Sequence, residues 1–180
     1  MLKFVRRLLK GQSTSPTSPG IQEPQSRQLD ESQLEAIESL ARLAYGHLPA
    51  AAATASAAVL VEQYIGGESL FACLRSADAE AADLVYLYVD QGEVEEASSQ
   101  AVLVARSHGL SEGAGFDAQT SVSALLRAYD IWLTAQGFRF VQHRAVDWGF
   151  SGLVLPSTAV PSFLHFASRL EETFLEGCAD

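Results

Sequence analysis

The segment that most constrains this chain is Leu84-Val-Tyr-Leu-Tyr-Val89, six residues with no polar face. A short run of aromatic and branched residues, apolar on both sides, reads as a strand covered on both faces; the expectation is the central strand of a sheet. Most of the surrounding sequence has the helical period instead. Asp30, with Gln33 three residues on, forms a capping-box pattern ahead of a stripe of Leu34, Ile37, Leu40, Ala41 and Ala44 that ends at Gly46. Pro49 suits the first turn of an alanine-rich helix ending at Gly66-Gly67, and residues 69–76 favour a further short helix.

Beyond the strand, Asp90-Gln91-Gly92 is a turn leading into a helix from Glu93 to His108, closed by Gly109. Thr120 or Ser121 caps the next helix, whose apolar positions are Val122, Leu125, Leu126, Tyr129, Trp132 and Leu133. After Gly137, residues 138–146 and 150–155 read as a β-hairpin around Asp147-Trp148-Gly149. A last helix starts at Ser157 or Thr158, buries Phe163, Phe166, Leu170 and Phe174, and stops at Gly177. The fold class is therefore α+β: a small mixed or antiparallel sheet of about three strands, covered by helices.

Three regions follow from the same pattern. Residues 30–180 are one α+β domain, an ordinary size for a single core. Residues 11–29, rich in Ser, Thr, Gln and Pro, read as a disordered linker. Residues 1–10 form a basic amphipathic head: Leu2, Phe4, Val5, Leu8 and Leu9 fall on one side of a helix, and Lys3, Arg6, Arg7 and Lys10 on the other. The head is too short to span a bilayer, and suits weak membrane-surface contact or docking in a groove. A targeting presequence is its rival reading, since no acid precedes Glu23.

Charge and missing residue types exclude several chemistries. Of 12 basic residues the head takes four, leaving eight against 22 acidic ones, a balance of −14. Nucleic-acid phosphates repel such a domain, whereas a basic protein surface attracts it. No lysine follows Lys10. The domain therefore has no Schiff-base lysine, no phosphate-loop lysine and no ATP-binding strand lysine. Cys73 and Cys178 form no CxxC-like cluster and read as reduced packing or tail residues of a cytoplasmic protein. The four histidines lie on separate elements. His143 and Asp147, on one strand, would stand about 13 Å apart, too far to share an ion, so no metal or other cofactor is expected. Gly149-Phe150-Ser151-Gly152 lacks the spacing and the following helix of a nucleophile elbow.

Two places remain for an interaction. Asp90, Glu93 and Glu96, with Glu95, gather at the end of the first strand, where ligands collect in sheets with helical crossovers; the plainer reading is that acids favour a helix N-terminus. Trp148, at the hairpin tip, is the candidate apolar anchor. Tyr129 and Trp132 read as core.

Tyr88-Val89-Asp90, the 93–108 helix and Asp130-Ile-Trp-Leu133 through Gly137-Phe138 are the pieces by which residues 84–155 resemble a family of uncharacterised small acidic bacterial proteins. The resemblance implies no activity and no catalytic residues. In composition the chain is also similar to immunity proteins of toxin systems. The functional expectation is a non-catalytic acidic interaction protein, immunity- or adaptor-like, binding a basic protein partner. The alternatives are a peripheral protein docked at the inner membrane surface by its head, and an enzyme using carboxylates near Asp90.

Overall fold

A computed structural model describes residues 26–81, 84–110, 121–145 and 149–178. The head, most of the linker and Trp148 lie outside the described residues. In chain order the elements are α1 (Glu31–Tyr45), α2 (Ala50–Ile65), α3 (Leu70–Ala81), β1 (Tyr86–Asp90), α4 (Val94–Ser107), α5 (Val122–Ala135), β2 (Phe138–His143), β3 (Gly149–Pro156), α6 (Val160–Arg169) and β4 (Phe174–Glu176).

The local signals act as their chemistry requires. The Asp30 carboxylate accepts from the Gln33 N–H at 2.8 Å, and the Gln33 side chain accepts from the Asp30 N–H at 3.2 Å, so two orphan donors of α1 are satisfied reciprocally. Ser121 caps α5 by accepting from the Ala124 N–H at 3.2 Å. The short helix expected at 69–76 runs on to Ala81. The chain is in contact with the body from Arg27, whose N–H donates to the Ile65 carbonyl at 3.0 Å and whose guanidinium lies 4.1 Å from the Tyr64 ring centroid.

The sheet is antiparallel in all three of its strand pairings, in the order β1-β3-β2-β4. β2 and β3 form the expected hairpin, with β2 ending at His143. Among the described residues the sheet has four strands, where about three were expected. Two expectations are corrected. Strand β1 is at an edge, not central: β3 pairs with it on one side, and on the other the Gln100 side-chain amide of α4 accepts from the Tyr88 N–H (2.8 Å) and donates to the Tyr88 carbonyl (2.9 Å). Apolar residues on both faces report cover by helices above and below, and are silent about which strand edge is open. The last helix ends at Arg169, and Phe174 belongs to β4. Glu171 takes a left-handed conformation (φ 61°), while its own N–H and that of Glu172 bond to Ser168 and Ala167 carbonyls, a Schellman stop without glycine.

Side chains alternate between two cores. Tyr86, Val141, Leu153 and Leu155 join α1, α2, α3 and α6 on one face; Leu87, Val89, Phe140 and Val154 join α4 and α5 on the other. On the second face a Cβ at Gly152 would stand 2.6 Å from the Phe140 ring and 2.4 Å from the Val141 carbonyl oxygen, so that only glycine lets the ring lie over β3. Asp130 of α5 locks the hairpin base, taking two bonds from the Arg139 guanidinium (3.1 and 2.9 Å) and one from the Phe140 N–H (2.8 Å); Arg139 also pairs with Glu176 of β4. The Asp130 segment of the resemblance is thus a structural clamp.

Candidate functional site

The end of β1 and the start of α4 make one corner. Asp90 accepts the Glu93 N–H on its backbone carbonyl at 3.1 Å, which turns the chain so that Glu93 stands at the N-cap and Glu95 and Glu96 in the first helical turn. Asp90, Glu93, Glu95 and Glu96 are all exposed. Glu96 accepts from Gln100 at 2.7 Å, which steadies the amide that closes the β1 edge. Among the described residues none of the four carboxylates has an ion-pair partner. The Cα partner of Asp90 is Gly149 of β3; Trp148, the other expected interaction site, lies outside the described residues.

Tyr88 adds an aromatic group that the sequence reading left in the sheet. Its half-buried ring meets Phe71 edge-on, with centroids 5.1 Å apart, and Arg75 lies 4.7 Å from its centroid. Partial burial, and then the Asp90 charge, hold the Tyr88 hydroxyl above its ordinary pKa, with Arg75 acting in the opposite direction. Asp90, the Tyr88 ring and Arg75 therefore adjoin at one end of the sheet.

A second polar cluster lies inside the first core. The Tyr86 hydroxyl is 2.8 Å from Nδ1 of buried His143, and His143 Nε2 is 3.3 Å from Oε2 of Glu172. With Tyr86 donating to Nδ1 and Nε2–H donating to the carboxylate, a neutral imidazole satisfies both contacts. The ring stacks on Phe174 (centroids 4.1 Å, 7° between planes), and Ser151 donates to the His143 carbonyl at 3.0 Å. For His143, the one local partner that sequence spacing offers is Asp147. Its actual partners are 57 and 29 residues away, beyond any local spacing signal. Glu172 reaches it because Glu171 turns the chain back after α6.

A third cluster joins the α1–α2 corner to the end of α4. The rings of His47 and His108 stack with centroids 3.7 Å apart and 18° between planes, and His108 also meets Phe138 edge-on.

Among the described residues no three His, Cys, Asp or Glu side chains are placed to hold a metal ion. Cys73 is buried, and burial pushes its thiol up to about 12, which keeps it protonated and unreactive. Tyr129 is fully buried and Trp132 stacks beside it at 6.0 Å, as core residues do. No described helix is long and apolar enough to cross a membrane. No protein-family model, curated protein or solved structure matches this chain, and the resemblance of residues 84–155 rests on its sequence alone.

Proposed function

We propose that this protein is a non-catalytic interaction protein, adaptor- or immunity-like, that binds a basic protein partner at the β1–α4 corner. The supporting observation is the set of exposed carboxylates, Asp90, Glu93, Glu95 and Glu96, which lack ion-pair partners among the described residues, with Tyr88 close to the first of them, Asp90. A partner's lysines and arginines gain from carboxylates that have no ion-pair partner among the described residues, and the half-buried Tyr88 near Asp90 adds apolar contact area. Gln100 already occupies the outer edge of β1 at Tyr88, so recognition there runs through side chains and not through an added strand. The rest of the domain's negative balance extends the attraction over about one Debye length, ~10 Å at 0.1 M salt and ~3 Å at 1 M.

The test uses the full chain and a quadruple neutral variant, Asp90→Asn, Glu93→Gln, Glu95→Gln and Glu96→Gln, in parallel affinity capture from the native cell at low salt. A basic protein retained by the wild type and lost by the variant supports the proposal. Its association rate with the wild type should fall steeply with salt, while dissociation changes far less. Equal retention of the same partners by both forms would sink the corner as the site. A salt-indifferent association rate would sink the electrostatic argument.

A further inference from the structure

His108 closes α4, and Gly109 follows it in a left-handed conformation (φ 71°) that sends the chain away from the helix. Across from it, His47 sits in the short connection between α1 and α2. The Ser107 hydroxyl gives its one proton to the Val104 carbonyl at 2.8 Å. Its oxygen therefore accepts from His47 Nε2–H at 3.2 Å, which fixes that tautomer. Both ring nitrogens of His108 are buried and make no hydrogen bond of good geometry among the described residues. One imidazole in this stack is anchored by a hydrogen bond, and the other is held by ring contacts with the Val154 backbone nearby.

This arrangement tolerates only a neutral His108. Two imidazolium cations 3.7 Å apart face to face repel each other, and a charged His108 would hold two buried N–H donors with only the Val154 backbone close by to accept. The groups around His108 offer little relief. His47 is the one titratable group facing it from another described element; β2 presents the Phe138 ring and β3 the Val154 backbone, while Arg106 and Ser107 belong to its own helix. Burial first, and His47 second, hold its pKa at about 3.

We propose that the His47–His108 stack is an acid-released latch, which holds the α1–α2 corner against the end of α4 at neutral pH and lets go when the pair is protonated. In the closed state His108 refuses a proton that it accepts once the rings part. The open population therefore rises about tenfold for each pH unit below the ordinary histidine value of about 6.5.

Hydrogen exchange on the full chain, corrected for the intrinsic pH dependence of exchange, reads this directly. Between pH 7 and pH 4.5 the amides around His47 and His108–Leu110 should lose about tenfold or more of their protection and stay less protected than Val141 and Leu153 in the sheet. His108→Phe keeps a ring in the stack and takes no proton, so its corner should stay protected at pH 4.5. Imidazole NMR of the wild type gives a second readout that needs no variant. The His108 ring should remain neutral through pH 6 in the closed state. Corner protection that is unchanged at pH 4.5 would overturn the proposal, as would acid opening of equal size in His108→Phe. A His108 titration centred near 6.5 with the corner still protected would do the same.

Discussion

His143 and His108 serve opposite faces of one sheet and solve the burial of an imidazole in opposite ways. His143, on the face of α1, α2, α3 and α6, has a partner at each nitrogen, with Tyr86 on one side and Glu172 on the other. His108, at the rim of the α4–α5 face, has ring contacts to His47 and Phe138, and neither of its buried nitrogens makes a hydrogen bond of good geometry among the described residues. The first is a wired polar group, whose network pins β1, β2 and the β4 approach together. The second is an aromatic disc that tolerates burial only while it stays neutral. Buried histidines therefore do not form one class: the hydrogen-bond partners decide whether the ring stabilises a core or sensitises it to acid.

The comparison is broken most severely at His143. His143→Leu leaves the Tyr86 hydroxyl without its acceptor and Glu172 without its donor, and removes the ring that stacks on Phe174. The expected cost is about 2–4 kcal/mol by urea unfolding at pH 7. His108→Phe at the same pH should stay within about 1 kcal/mol of wild type, since neither nitrogen makes a hydrogen bond of good geometry among the described residues. Equal costs at the two sites would show the distinction to be unreal.

Acid sharpens the contrast from the other side. The His108 pKa in the folded chain, about 3, lies below its unfolded value of about 6.5. The unfolded chain therefore binds more protons between those values, and the stability linked to His108 is complete above pH 6.5 and lost as pH falls toward 3. At about 1.4 kcal/mol per pH unit, the wild type should have lost about 2 kcal/mol more than His108→Phe by pH 5. Parallel pH–stability curves for the two proteins would contradict this.

Two smaller effects test the wiring of His143. Tyr86→Phe removes one hydroxyl and strands Nδ1, for about 1–2 kcal/mol in urea unfolding; a neutral result would mean that the 2.8 Å contact contributes nothing. Glu171→Gly relieves the left-handed backbone that carries the chain into Glu172, offset by the greater freedom of glycine in the unfolded chain, for a net gain of about 0.5 kcal/mol in the thermal midpoint analysis. A loss instead would show that the Glu171 side chain itself makes a needed contact.

The helix boundaries were legible wherever the chain carries its own punctuation. Asp30 with Gln33, Gly66-Gly67 and Gly109 act within three or four residues of themselves, and the structure uses them so. Strand β4 was illegible because Phe166, Leu170 and Phe174 continue a helical spacing across a turn that Glu171, a residue type that seldom adopts this conformation, makes without glycine. Of the corner, Asp90, Glu93 and Glu96 could be read from spacing alone; Tyr88 could not be picked out, because a tyrosine in an apolar strand carries no mark of which side leaves it half exposed. The Tyr86–His143–Glu172 chain left no trace, since its members meet only once β3 has inserted between β1 and β2.

By itself the sequence determined the α+β class, the hairpin, the acidic charge and the exclusion of lysine chemistry, because residue type and short-range period carry that information. Only the tertiary structure decided that β1 lies at an edge closed by Gln100, that a fourth strand completes the sheet, and which buried histidine has partners. Those outcomes depend on which backbone edges and side-chain atoms meet across tens of residues, and the periodicity of a strand or helix records faces, not partners.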